Sequence, residues 1–317
     1  MDKVSKTGQI DVSCLIPNKN GSQYFPYLIS YFEDVQGLEI EIIVVDDRST
    51  DGSVELLAAW EKRDPRVKIL HNPGNGLVEA LNHGLEFARA DWIARFDVDD
   101  EYSTFRLKAQ LDAVKSDTVL LFSDFNLIDS YGEEIGTLSG PISHIESMVS
   151  LFSNRRTPHS SAFFHRESVI KVGKYIQGEF LAEDMGLWLR LSKLGKVHSV
   201  PQSLMSYRVS PNSLLSTNRS MSYLRRDEIR SSYPFLEYLR GGLDQFPRTI
   251  EMINNFEQSE KRLVLHTLEL FELIHHFRDY KSAIKLVFRA LIVFKYRHYK
   301  EIAKISRLRK IKNQVQH

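Results

Sequence analysis

Within its first hundred residues the chain repeats one arrangement: a short apolar run, a polar turn, then apolar residues at helical spacing. Residues 12–17, Val-Ser-Cys-Leu-Ile-Pro, lead into Asn18-Lys19-Asn20-Gly21 and then Phe25, Leu28, Ile29, Phe32 and Val35. Residues 40–45, Ile-Glu-Ile-Ile-Val-Val, stop at Asp46-Asp47-Arg48-Ser49-Thr50-Asp51-Gly52-Ser53. Asp, Ser and Thr there cap a helix whose Val54, Leu57 and Ala58 face inward. Val67 to Leu70, the turn Asn72-Pro73-Gly74-Asn75-Gly76 and a stripe of Leu77, Ala80, Leu81, Leu85 and Ala88 make the third repeat. Near-continuous apolar strands alternating with helices predict an α/β fold, with a mainly parallel sheet flanked by helices. Ligands of such sheets bind beyond the carboxyl ends of the strands, which is where each of these turns falls.

A fourth run, from Trp92, ends in Asp97-Val98-Asp99-Asp100. Adjacent carboxylates repel, so the cluster is costly unless a cation or water neutralises it. Carboxylates two apart at a strand-to-loop turn can both reach one hard divalent ion, which prefers oxygen ligands. Such an ion could hold the diphosphate of a nucleotide, and four polar turns on one sheet edge point to a nucleotide pocket. A solvated acidic turn is the plainer alternative for any one of them.

The second half changes character. Phe105, Leu107, Leu111 and Val114 predict a helix, and Val119–Phe122 and Ser160–Phe164 predict strands. Glu183-Asp184 opens an amphipathic helix with Leu187, Leu191 and Leu194 on one face; carboxylates also suit a helix N-terminus simply as caps. Val197–Val200 and Leu204–Arg208 read as two closing strands. A sheet domain over residues 1–215 and an α-helical region over 216–317 follow from this pattern. From Lys281 onward eleven Lys and Arg stand against Glu301 alone, interleaved with Ile292, Phe294, Ile302, Ile305 and Leu308. That tail suits either peripheral contact with anionic lipid or a helical appendage packing on the first domain or another subunit.

The formal net charge of +1 predicts no global attraction to nucleic acid. The single cysteine, Cys14, lies in an apolar run and suits a reducing cytosol. The polar N-terminus lacks a signal-peptide core, and no apolar run approaches the ~20 residues of a membrane span. A cytoplasmic protein, with the tail at the inner face of the membrane as one option, is the resulting expectation.

Six stretches resemble the family 2 glycosyltransferases of the GT-A fold, in that family's order: Ser13–Asn20, Val44–Ser53, Gly76–Gly84, Trp92–Asp100, Arg106–Gln110 and Ala182–Arg190. They cover roughly residues 10–210. The resemblance implies an inverting hexosyltransferase-type enzyme of bacterial polysaccharide or glycan biosynthesis. Its donor would be a nucleotide-sugar, UDP-linked as first choice, its acceptor a glycan or lipid-linked hydroxyl, and its cofactor Mn²⁺ or Mg²⁺. Pro17 and Asp47 would line the nucleobase pocket, shaped by Asp46 and Ser49, with Asn18, Asn20, Gly76, Asn82, Val98 and Arg208 also on the donor side. Asp97 and Asp99 would be the Asp-x-Asp metal motif, Asp99 the direct ligand, with Arg95 near the diphosphate. Asp184 would be the catalytic base and Glu183 its runner-up.

The chain departs from the family where Lys19 replaces a frequent aromatic residue, and where Ser210 stands two positions after Arg208 in place of a frequent histidine. His159 suits either the acceptor side or a strand cap. Two rivals remain from other classes. A nucleotidyltransferase making an activated sugar would need a glycine- and basic-rich N-terminal loop, which Pro17-Asn18-Lys19-Asn20 does not supply. Against a non-catalytic nucleotide-sugar-binding module, the second rival, stand the intact Asp99 and Asp184.

Overall fold

The computed structural model describes residues 9–141, 157–210 and 213–232, with His144, Ser147 and Leu151 between them. The chain divides at Tyr233/Pro234 into two compact units, and all described residues belong to the first. The basic tail and the helical stripes before it lie outside the described residues. Among the described residues no helix is long and apolar enough to cross a membrane.

The three repeats fold as their patterning predicts. Strands β1 (Val12–Asn18), β2 (Ile40–Asp46), β3 (Val67–His71) and β4 (Trp92–Arg95) alternate with helices α1 (Phe25–Asp34), α2 (Ser53–Arg63) and α3 (Leu77–Phe87). All fourteen residues of β1 and β2 are buried, as expected of strands covered on both faces. Parallel pairing joins β1 to β2 and β4, and β2 to β3, with Asn18 opposite Asp46 at the carboxyl edge. Pro17 is tolerated in a central strand because β4 pairs with β1 only as far as Leu15. Helix α3 lies so close to the sheet that a Cβ on Gly84 would stand 2.2 Å from Leu15 Cδ1. In α2 the inward stripe is Leu57 and Trp60, three apart; Val54 is 40% exposed.

The remaining strands make the sheet mixed. They are β5 (Glu101–Tyr102), β6 (Thr118–Ile128), β7 (Glu134–Leu138), β8 (Phe163–His165) and β9 (Lys196–Arg208). The path through the sheet is β3-β2-β1-β4-β8-β6-β9-β5, with β7 folded back on β6. β8 runs antiparallel to both β4 and β6, whereas β6 and β9 are parallel. Ser160 and Ser161 belong to a 3₁₀ turn (His159–Ser161), so the strand expected from Ser160 begins only at Phe163. The two closing strands are one, β9, whose register jumps between Val200 and Ser203. Pro201 sits in that jump, where a missing N–H breaks no ladder bond. Helices α4 (Arg106–Asp112), α5 (Arg166–Lys171), α6 (Glu183–Leu191), α7 (Leu214–Thr217) and α8 (Arg219–Ser232) complete the unit.

A buried carboxylate ties the amino ends of β1 and β2 to the exit of α3. Glu41 Oε1 accepts the Ser13 hydroxyl at 2.6 Å and the Arg89 backbone N–H at 2.7 Å, and Oε2 accepts Arg89 Nε at 2.8 Å. Burial alone would raise its pKa, but these donors outweigh burial and hold it below the ordinary carboxylate value. A lowered native pKa means stability that is present above the unfolded-state value near 4.5 and lost as pH falls through the native one. Glu41→Gln should therefore cost about 1–3 kcal/mol near neutrality. Urea midpoints should show that gap shrinking as the pH falls below about 4.5 and Glu41 takes up its proton.

Candidate active site

The carboxyl ends of β1 and β2 form a polar ledge in which every side chain fixes another. Asn18 Nδ2 donates to Asp46 Oδ1 at 2.7 Å and to Ser49 Oγ at 3.1 Å, and the Ser49 hydroxyl donates back to Asp46 Oδ1 at 2.5 Å. Asn20 takes a left-handed conformation at φ 57°, its N–H on Ser49 Oγ and its Oδ1 accepting from Thr50 N–H at 2.7 Å. Asparagine tolerates that backbone region because its short polar side chain bonds locally. Asp47 accepts Asn72 Nδ2 at 2.8 Å, Gly76 N–H at 3.1 Å and Lys19 Nζ at 3.2 Å, with Arg48 3.5 Å away. Burial opposes the Asp47 charge, but these donors prevail and hold its carboxyl below the usual range. Gly76 reaches this position at φ 89°, which side chains rarely adopt. Pro17 is buried beneath the ledge.

The acidic loop leaves β4 beside this ledge. One carboxylate oxygen from each of Asp97, Asp99 and Asp100 lies within 4.8 Å of the others. They differ in how they are held. Asp97 is ion-paired with the buried Arg95 guanidinium. Burial disfavours the Arg95 charge, yet the Asp97 carboxylate more than restores it, so its pKa stands above the ordinary arginine value. Asp100 accepts the Ser160 hydroxyl and the Arg208 backbone N–H, the latter at 2.8 Å. Burial, then the neighbouring Asp97 and Asp99 charges, push its pKa well up. The Asp99 carboxylate is hydrogen-bonded to its own backbone N–H, and burial with the Asp97 charge raises its pKa to about 6. Three crowded oxygens with one cationic partner form a hard, anionic donor set, and that chemistry fits a divalent ion at Asp99 and Asp97. Val98 packs its side chain on the Gly21 turn, leaving its backbone between the two aspartates.

Of the predicted donor-side residues, Arg208 braces this loop and Asn82 braces Tyr175. Arg208 Nε donates to Asp99 O at 2.8 Å, NH1 to Asp129 O at 2.9 Å and NH2 to Glu101 Oε1 at 2.8 Å. Asn82 gives both ends of its amide to the backbone of Tyr175, Nδ2 to the carbonyl at 2.9 Å and Oδ1 from the N–H at 3.0 Å. Tyr175 is buried, and its hydroxyl lies 2.7 Å from His159 Nε2. Burial pushes the tyrosine pKa well up, and the charges of Arg95, Glu183, Asp184 and Asp97 all reach it. Tyr175 thus stands between the acidic loop and the start of α6. Burial and the Arg95 charge push His159 well down, which keeps its imidazole neutral inside this network.

At that start of α6, Glu183 is buried and its Oε2 has no hydrogen-bond partner among the described residues. Burial, then the Asp184 charge, raise it to about 7. Asp184 is more open to solvent; its Oδ1 accepts the Met185 N–H at 2.6 Å. Adjacent helical residues point about 100° apart, so the pair presents one carboxyl inward and one outward.

The model for the family described as glycosyl transferase family 2 matches residues 13–173, just over half of the chain. The chain belongs to that family. It is 29% identical over 194 residues to the amylovoran biosynthesis glycosyltransferase AmsE of Erwinia amylovora, covering 59% of this chain and 71% of AmsE. It is 25% identical over 298 residues to glycosyltransferase GlyG of Streptococcus pneumoniae, covering 88% of this chain and 96% of GlyG. Among solved structures it is similar to Staphylococcus aureus TarS 1–349 in complex with UDP-GlcNAc, with TM-score 0.56, 14% identity, 84% of this chain and 81% of that one. It is also similar to the mannosyltransferase PcManGT of Pyrobaculum calidifontis in complex with GDP-Man and Mn²⁺, with TM-score 0.52, 15% identity, 70% of this chain and 64% of that one. The fold is GT-A, and the chain is a glycosyltransferase.

Residue patterning did not single out Ser160, Tyr175 or Asp100 as parts of the site. Their partners lie far along the chain, and the only local signal was the third aspartate of the acidic cluster. If Asn82 serves the site by holding Tyr175, Asn82→Ala should cost about 1–3 kcal/mol in a urea melt through two lost hydrogen bonds. The variant should still be stabilised by nucleotide as the wild type is. A stable variant that loses the nucleotide-induced melting shift would return Asn82 to direct donor contact.

Proposed function

We propose that this glycosyltransferase moves a sugar, with inversion, from a nucleoside-diphosphate donor to a hydroxyl of a glycan or lipid-linked acceptor. UDP is the first choice of nucleotide, and the work is done at the cytoplasmic face. The observation that carries the reading is that carboxylates of two separate groups, Asp97 of the acidic loop and Glu183–Asp184 of α6, both act on the buried Tyr175. The similarity to proteins solved with UDP-GlcNAc and with GDP-Man and Mn²⁺ supports it. A sugar transfer of this kind needs one carboxylate set for the donor and another for the acceptor.

The ledge of Pro17, Asn18, Asn20, Asp46, Asp47 and Ser49 receives the nucleoside, with Gly76 closing its floor. Lys19, in the place of a frequent aromatic residue, already pairs with Asp47, so it lies over the edge of that slot. Asp97 and Asp99 hold a divalent ion, Mn²⁺ or Mg²⁺, which supplies Lewis-acid stabilisation of the departing diphosphate when bound. Arg95 keeps Asp97 oriented from below, and Arg208 fixes the backbone of Asp99. Asp184 takes the proton of the acceptor hydroxyl as that oxygen attacks the anomeric carbon from the face opposite the diphosphate. The new C–O bond forms as the bond to the diphosphate breaks. Glu183, deeper and shifted toward neutrality, is the second carboxyl of the pair and shapes the pocket wall.

Thermal melts with UDP, GDP, dTDP and CMP, each with and without Mn²⁺, test the donor half. UDP at a hundred times its dissociation constant should add about 2.7 kcal/mol of stability, and only with Mn²⁺ present. Asp99→Asn should lose the Mn²⁺-dependent part of the shift. Asp184→Asn should keep that shift and lose transfer by about 10²–10⁴-fold. A shift indifferent to Mn²⁺ removes the metal assignment, and full transfer in Asp184→Asn removes the base.

A further inference from the structure

Helix α8 (Arg219–Ser232) follows the last strand and lies beyond the residues matched by the family model. It nevertheless reaches the Glu183–Asp184 segment at two points. The buried Ser222 hydroxyl donates to the Leu181 carbonyl at 2.8 Å. Four residues on, and so on the same face of the helix, Arg226 places NH2 3.5 Å from Asp184 Oδ1 and NH1 4.0 Å from Met185 Sδ. The Arg226 and Asp184 side chains are 8% and 15% exposed, so solvent screens the pair poorly.

We propose that α8 is a clamp on the base segment and that Arg226 is a positioning residue for Asp184. The inference rests on the reading of Asp184 as the base. The backbone supplies the first reason for a clamp. Leu181 adopts φ 75°, a left-handed conformation that a branched, non-glycine residue keeps only where its surroundings over-determine it. Ser222 grips the carbonyl of that residue, three positions before Asp184. The carboxylate supplies the second reason. Oδ1 is held by the Met185 N–H and faced by the Arg226 guanidinium, which leaves Oδ2 for the acceptor hydroxyl. At 3.5 Å the Arg226 contact is an ion pair rather than a short hydrogen bond, so it orients Asp184 by charge. A base must be held in place for its proton transfer to count, and a displacement of an ångström costs rate far more than binding.

Hydrogen exchange read by mass spectrometry over residues 181–187 of the full chain tests the clamp without any substrate. Arg226→Met keeps the bulk and removes the charge; it should speed exchange there about tenfold and leave β1–β4 unchanged. Arg226→Lys should restore protection to within about twofold of wild type. Unchanged exchange in Arg226→Met overturns the clamp. A lysine variant that behaves like the methionine one overturns the role of the charge. Release of UDP from UDP-GlcNAc with Mn²⁺ reads the catalytic consequence. Arg226→Met should lower kcat at least about tenfold with donor KM within about twofold, and Arg226→Lys should recover it. Asp184→Asn run alongside separates the two readings. If it keeps turnover while Arg226→Met loses protection, the base assignment falls and the clamp stands; if it is inactive while exchange in Arg226→Met is unchanged, the reverse holds.

Discussion

Burying the guanidinium of Arg106 would be prohibitive if its N–H groups faced hydrocarbon. Most do not: Nε donates to Gln110 Oε1 at 3.1 Å, and NH2 to the carbonyls of Arg95 at 2.8 Å and Ala162 at 3.3 Å, while NH1 has no hydrogen-bond partner among the described residues. The rings of Phe96 and Tyr102 lie 4.4 and 4.9 Å from its central carbon. Burial still presses its pKa down, a measure of how fully it has left water. Gln110, one turn along α4, reaches the Ser161 carbonyl at 2.9 Å. The two side chains therefore pin the end of β4 to the 3₁₀ turn that carries Ser160. Without that pin the acidic loop would have no fixed base, because the Tyr102 hydroxyl that bonds Asp97 on both its N–H and its carbonyl comes from the same aromatic cluster.

Charge in the site is arranged as a sequence of partial neutralisations. Arg95 answers Asp97 from beneath, and Ser160 with the Arg208 backbone answers Asp100 from the side. Asp99 is left buried and beside the Asp97 charge, which explains why its acidity is weakened. On the neighbouring ledge the opposite holds, for Asp47 has more donors than it needs. One carboxylate group is thus short of positive charge and the other is saturated. Only the first has reason to recruit a cation.

The parts of this protein that could be read from residues alone are those whose causes are local. β1 and β2 announce themselves because burial on both faces demands an unbroken apolar run. The ledge residues announce themselves because Asn, Asp, Ser and Gly must follow such a run for the chain to turn. Asp97 and Asp99 stand out because crowded carboxylates are costly. Ser160 was readable only as part of a strand, since its bond to Asp100 spans 60 positions. Arg208 was placed on the donor side by resemblance alone, because an arginine after a closing strand carries no sign of the three acceptors it meets. The single long β9 looked like two strands because Pro201 interrupts the pattern without interrupting the ladder's course. Arg226 was silent, as one charge among several on a polar helix.

Asp100 has a consequence for how such an enzyme is made. Its two side-chain partners are separated from it by 60 and 108 residues, and the second belongs to the final strand. A ribosome delivers the polar ledge early, with everything from Asn18 to Gly76, and long before Arg208 emerges. During that interval the growing chain holds the ledge residues and an acidic loop that has its Arg95 and Tyr102 contacts but lacks the Arg208 contact on Asp100. Synthesis itself therefore orders the assembly, so that a nascent chain can be complete enough to fold around β1–β4 and still be unable to act.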